Sequence, residues 1–301
     1  MKNNEQNNFH KPVLLQEVIN YLQIQSDKWY VDCTLGSGGH SEAILKLGGK
    51  VLAIDQDQEA IDFAKERLAK NCPKGTFKIV RANFASLKKI IEENQLEVQG
   101  VLFDLGVSTY QLTGNGRGFS FQVEESLDMR MDPENQTVTA ADLVNGLYEN
   151  ELEKLITEYG QDRLAKSIAR AIVLERKIQA IRTTTELREI IENIYRRKYS
   201  SKSFRNPATK TFQALRIAVN DELNNFKKAL KVSLKILSPK GRIAVISFHE
   251  LEDRIVKHQF LAWQENELGQ IIAKKPIVPE LKEIINNPNS RSSKLRIFEK
   301  N

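Results

Sequence analysis

Gly36, Gly38 and Gly39 follow the short apolar run WYVDC and precede the helical pattern SEAILKL. A strand ending in such a turn lets backbone amides, and a surface free of Cβ atoms, approach a nucleotide-like ligand closely. Asp55 closes the next apolar run, KVLAID, about 20 residues on, where a carboxylate can accept two hydrogen bonds from a ribose diol. That pairing suits NAD, FAD and S-adenosyl-L-methionine alike. Two details favour the sulfonium cofactor. Ser41 stands where the dinucleotide pattern GxGxxG has its last glycine, so the close helix approach that accommodates a pyrophosphate is not specified. Asp32 sets a negative charge before the loop, where NAD would bring phosphates and S-adenosyl-L-methionine brings an ammonium and a sulfonium. At about 4 Å and an effective dielectric near 20, that attraction is worth roughly 4 kcal/mol before desolvation. Asp104, at the end of VLFD, falls at the carboxyl edge of a further strand, as a ligand group or a helix cap. Phe84, in RANF, is placed either against an adenine ring or in plain core.

These residues need a scaffold, and the pattern supplies one. WYVDC, KVLAID, TFKIVRANF and VQGVLFDLG read as strands, separated by helices at SEAILKL, QEAIDFAKERLAK and LKKIIEEN. Such alternation predicts an α/β fold built on a parallel, Rossmann-like sheet. An amphipathic helix over HKPVLLQEVINYL precedes it, with Pro12 near the first turn and Leu14 and Val18 on one face. The next strand, GRIAVISF, begins only at Gly241, far beyond the dozen or so residues a crossover needs. ATKTFQALRIAVNDELNNFKKALKVSLKIL reads as one long helix able to make that crossover, which leaves 107–205 as a mainly helical insertion into a core of 1–106 and 206–301. HELEDRIVKHQFLAW reads as a helix with acids in its first turn, and SSKLRIFEK as an edge strand.

Charge separates the two parts. The chain carries +6 overall, but residues 160–216 hold 14 Lys/Arg against 5 Asp/Glu, a net +9 that leaves −3 for the remainder. Within that stretch IYRRKYSSKSFRNPATK interleaves Arg196, Arg197, Lys198, Lys202, Arg205 and Lys210 with Tyr195, Tyr199 and Phe204. Cations for phosphates and aromatics for bases are what single-stranded RNA requires; the plainer alternative is a solvated basic helix end. Phe119, Phe121, Phe248 and His249 are further candidates, as pocket rim or as packing. Two cysteines and a polar N-terminus predict a reduced cytoplasmic protein with no membrane segment, and the scattered histidines predict no metal. HELED lacks the second histidine of the zinc pattern HExxH.

The chain closely resembles the bacterial 16S ribosomal RNA cytosine-N4 methyltransferases, the RsmH or MraW family. The resemblance rests on HKPVLLQEV, VDCTLGSGGHS, AIDQD, NFASL, FDLGVSTYQL, RGFSF, LDMRMD, TAADLVN, PATKTFQALRIAVNDEL, GRIAVISFHELEDRIVK, KKPIVP and NPNSRSSKLR, in that order. It implies a class I methyltransferase core with an inserted helical domain. It also implies cofactor contacts at Gly38, Gly39, His40, Asp55, Phe84, Asp104 and Gln111. The implied substrate is a cytidine in the decoding region of 16S rRNA within the small ribosomal subunit. Ser37, Thr109, Tyr110 and Asn206 depart from the family's usual residues, and only the last touches the expected RNA side. The D/N-P-P-Y turn of many DNA amino-methyltransferases is replaced by Asp104-Leu105-Gly106-Val107, so Asp104 or a nearby carbonyl is expected to accept a hydrogen of the cytosine amino group. An NAD-dependent oxidoreductase and a non-catalytic RNA-binding module are the rival readings.

Overall fold

A computed structural model describes residues 11–107, 116–199 and 206–301. Alternating burial organises it. Along β2 (Lys50–Asp55), Leu52 and Ile54 face one apolar cluster while Val51 and Ala53 face another, so the strand is covered on both sides. Burial on both faces is the condition under which parallel strands read as continuous apolar runs. The same division holds for β1 (Trp29–Asp32), β4 (Val98–Asp104) and β5 (Leu237–Ser247). One cluster is closed by α4 (Leu87–Asn94), α10 (Glu222–Ile236) and α11 (Glu250–Glu265), the other by α1 (Leu15–Leu22), α2 (Gly39–Lys46) and α3 (Gln58–Asn71). Phe103 is fully buried between Phe84 and Phe226, meeting each edge to face. Truncating a ring held in this way costs about 3–5 kcal/mol.

The sheet order is β3-β2-β1-β4-β5-β7-β6, with β3 at Phe77–Arg81, β6 at Gly269–Ile271 and β7 at Lys294–Lys300. Strands β1 to β5 run parallel, and β7 is antiparallel to both β5 and β6. This is the expected Rossmann-like α/β core. The order reverses between β1 and β4, and the crevice at the carboxyl ends beside such a reversal is where open α/β sheets take their ligands. SSKLRIFEK is not the edge: β7 lies inside the sheet and the three-residue β6 covers it. A strand of that length carries no alternation for a sequence to display.

Two compact units divide the chain, Met1–Ser108 with Leu223–Asn301, and Thr109–Glu222. The second boundary lies beyond the expected residue 205 because the long helix predicted from Ala208 to Leu237 is two helices. Asp221 takes a left-handed conformation (φ 47°) and ends α9 (Thr209–Asn220), while α10 starts at the next residue. The crossover before β5 is therefore α10 alone. In the second unit α9 lies with α5 (Ala140–Gly146), α6 (Glu149–Leu155), α7 (Ala165–Glu175) and α8 (Thr184–Lys198). Asn220 ties it to the loop at 129–131, donating to the Met129 carbonyl and accepting from the Met131 amide.

Candidate active site

Three carboxylates sit at carboxyl ends of parallel strands: Asp32 on β1, Asp55 on β2 and Asp104 on β4. Each is fixed differently. Asp55 latches the glycine turn, since its Oδ2 accepts from the Gly36 amide at 2.8 Å and its Oδ1 from the Asp57 amide at 3.0 Å. Burial pushes its pKa up to about 6, the two amides oppose that rise, and the charges of Asp57 and Asp32 add to it. Asp32 is almost wholly buried; it accepts from the Ser41 hydroxyl at 2.7 Å and the Thr34 amide at 3.1 Å. The two features that tilt the sequence toward a sulfonium cofactor are thus one hydrogen bond: Ser41 occupies the last glycine position of the dinucleotide pattern and holds Asp32.

Gly38 has φ +78°, and a Cβ on it would come within 3.3 Å of the Ala64 Cβ, so the turn can neither take nor fit a side chain without strain. Gly39 then opens α2 and delivers His40 to Asp104. Leu14 adopts φ 51°, a conformation costing a bulky residue about 1–2 kcal/mol. Its side chain is fully buried and its amide donates to Glu283 Oε1 at 2.8 Å. Beside that turn the Val13 carbonyl stands 3.0 Å from His40 Nε2.

A carbonyl only accepts, so Nε2 carries a proton and the neutral ring leaves Nδ1 bare. Nδ1 lies 3.5 Å from Asp104 Oδ2. One further proton shared between them makes that contact attractive, whether it rests on the imidazole or on the carboxyl. Burial first, then the charges of Asp32 and Glu252, raise the Asp104 pKa well above the usual carboxylate range and favour the carboxyl. The other oxygen, Oδ1, is buried without a hydrogen-bond partner among the described residues. A buried acceptor left open in this way costs about 1–3 kcal/mol until a donor arrives. The Asp104 amide meanwhile donates to Thr34 Oγ1 at 2.7 Å, fixing the strand end. Thr34, Val13 and Glu252 carry no sequence signal for these roles.

Phe84 is half-buried, its ring 6.0 Å from that of Phe103 and nearly perpendicular to it. His249 serves as the N-cap of α11, with Nε2 3.0 Å from Glu252 Oε1. Glu252 also accepts from the Phe248 amide at 2.8 Å, so HELED is a capping arrangement.

In the second unit Phe119 is buried under the Arg117 guanidinium, and Phe121 packs edge to face on Phe212 at 5.2 Å, so both serve packing. Arg196, Arg197, Lys198 and Lys210 are exposed. Tyr195, expected among the stacking aromatics, instead gives its hydroxyl to both Asp162 oxygens at 2.8 Å, leaving Tyr199 as the exposed ring beside it. Gln111, Lys202, Phe204 and Arg205 lie outside the described residues.

A sequence profile of the MraW methylase family matches residues 7–301. Among similar curated proteins, the Ribosomal RNA small subunit methyltransferase H of Persephonella marina is 45% identical over 96% of this chain and 98% of its own length. That of Dictyoglomus thermophilum is 44% identical over 98% of each chain, and that of Lachnospira eligens 43% identical over 97% of each.

Proposed function

Because the chain belongs to the MraW methylase family along nearly its whole length, we propose that it transfers the methyl group of S-adenosyl-L-methionine to the exocyclic N4 of a cytidine in the decoding region of 16S rRNA. The observation that carries this reading is the 43–45% identity, over 96–98% of the chain, to ribosomal RNA small subunit methyltransferases. Assembled small subunits are the proposed natural substrate, and the cytoplasm the proposed compartment. No described helix is long and apolar enough to cross a membrane.

The crevice fits the cofactor. Its glycine turn excludes side chains at Gly38, its Asp104 Oδ1 is a buried acceptor, and the charge of Asp32 bears on both Asp55 and Asp104, which suits a cationic group there. Gly36, Gly38, Gly39, His40, Asp55, Phe84, Asp104 and Gln111 would hold it, with Asp55 on the ribose hydroxyls. When bound, the cofactor supplies an electrophilic methyl group on a sulfonium.

The protein's own task is the nucleophile. A cytosine amino lone pair is delocalised into the ring, and accepting one of its hydrogens draws that pair back onto nitrogen. Asp104 or a nearby carbonyl is proposed to accept that hydrogen; the open Oδ1 of Asp104, with Oδ2 beside His40, supports Asp104. Alignment of the amino group against the methyl supplies most of the acceleration, since oriented reactants gain effective molarities of about 10⁵ M or more. Mass spectrometry of 16S rRNA from cells lacking this protein tests the assignment: one N4-methylcytidine disappears and returns on complementation. An unaltered modification profile would refute it.

A further inference from the structure

The second unit places cations together that the sequence keeps apart. Arg163, Lys166 and Arg170 lie three and four residues apart, so they share one face of α7 and the turn before it; the opposite face buries Ala165, Ile168, Ala169 and Ile172. Lys177 extends the row beyond the helix end. All four are exposed, and among the described residues none has an ion pair or side-chain hydrogen bond. Three other arginines of the unit are spent on carboxylates, Arg130 on Asp128, Arg188 on Glu192 and Arg216 on Glu222, and Arg176 on the Val144 carbonyl.

Two contacts join this row to the other basic segments. Tyr195, one residue before Arg196, donates to Asp162, one residue before Arg163. Lys210 donates to the Gln161 carbonyl at 2.8 Å, and its own carbonyl would stand 2.6 Å from a Cβ on Gly160. Residues 160–163, 195 and 210 therefore converge, which brings the start of the α7 row, the basic end of α8 and Lys210 to one place in the unit. Asp162, the carboxylate at the junction, is buried and committed to Tyr195. Unpaired, exposed cations in a continuous row, with the neighbouring carboxylate withdrawn, suit a polyanion with regularly spaced charges.

We infer that the exposed face of α7, through Arg163, Lys166 and Arg170, is a docking surface for an RNA phosphodiester backbone, beside the one at Arg196, Arg197 and Lys198. The inference rests on the proposed RNA substrate and adds a contact surface to it. The salt dependence of binding reads it directly, because each neutralised phosphate adds roughly 0.7–0.9 to the slope of log K against log salt.

The experiment uses the full chain and a 16S rRNA transcript, with binding measured across KCl concentrations. The variants are R163Q/K166Q/R170Q, R196Q/R197Q/K198Q and their combination. Each triple variant should lower the slope by about 2, and the combination by about twice that, while the affinity for S-adenosylhomocysteine stays at the wild-type value. A wild-type slope in R163Q/K166Q/R170Q, beside a lowered one in R196Q/R197Q/K198Q, overturns the α7 surface. A wild-type slope with reduced methylation of assembled subunits would make α7 a protein-docking face, and also overturns it. Failure of the wild-type enzyme to methylate small subunits at all would refute the proposed function instead, so the two failures are told apart.

Discussion

Cofactor affinity should collapse in mild acid, and Asp55 is the reason. Its carboxylate is proposed to accept the ribose hydroxyls, and a protonated carboxyl has lost acceptor capacity. With its pKa pushed up to about 6 by burial, the group is ionised above neutrality and protonated below pH 5. If only the ionised form binds well, the apparent Kd is multiplied by 1 + 10^(6 − pH), which is about 1.1 at pH 7 and about 11 at pH 5, each unit of pH being worth about 1.36 kcal/mol. The sign is thus of affinity rising with pH and levelling off near neutrality. Titration calorimetry with S-adenosylhomocysteine, from pH 8 to pH 5 at constant ionic strength, measures this. Asp55→Asn isolates the group from Asp32, Asp104 and His40, which share the crevice. An amide cannot accept from both Gly36 and Asp57 and also serve the ribose, so the loss of a charge-assisted bond, about 1.5–3 kcal/mol, should weaken binding about 10- to 150-fold at pH 8. That variant should also lack most of the acid-side fall. A wild-type Kd constant from pH 8 to pH 5, or the same acid slope in both proteins, would refute the reasoning.

Other perturbations separate the roles of the remaining carboxylates. Asp104→Asn should reduce methyl transfer to small subunits by about 10-fold or more, the worth of roughly 1.5 kcal/mol for one misplaced hydrogen bond, because an amide cannot share a proton with His40 as the carboxyl does. The same variant should melt higher than wild type in the absence of cofactor at pH 8. The raised pKa gives wild type a stabilising contribution that is complete below about pH 4 and lost as pH rises through the folded value, so the gap opens upward from there. Full turnover, or a gap that widens toward acid, would count against both roles. Ser41→Ala strands Asp32 Oδ2 in the interior and should cost about 1–3 kcal/mol in denaturant unfolding; an unchanged midpoint would mean that Asp32 is held by Thr34 alone.

What the sequence displays is what repeats or alternates. β2 and α4 have the predicted bounds because KVLAID is a continuous apolar run between turn residues and LKKIIEEN a clean amphipathic turn pair. Residues that act through backbone atoms leave no such trace. Val13 is singled out by nothing in the sequence, yet its carbonyl fixes the proton on His40; Tyr195 is read as a stacking ring, yet its hydroxyl is fixed by a buried Asp162 far away in sequence. The break at Asp221 was hidden for a different reason, since its single left-handed residue interrupts neither the apolar period nor the helix-forming composition around it.

The neighbours β4 and β5 have a consequence for the order of synthesis. They pair along most of their length, yet more than 130 residues separate the end of one from the start of the other. At about 5–20 residues per second, a ribosome needs roughly 7–27 s to make that stretch. During this interval β3, β2, β1 and β4 exist with the apolar edge of β4 open, the kind of edge that recruits foreign strands. The nascent chain is therefore most vulnerable after its cofactor turn has been made and before β5 emerges. Slow translation across the second unit should lengthen that exposure, whereas early folding of the second unit would bring the two halves of the sheet within reach of each other.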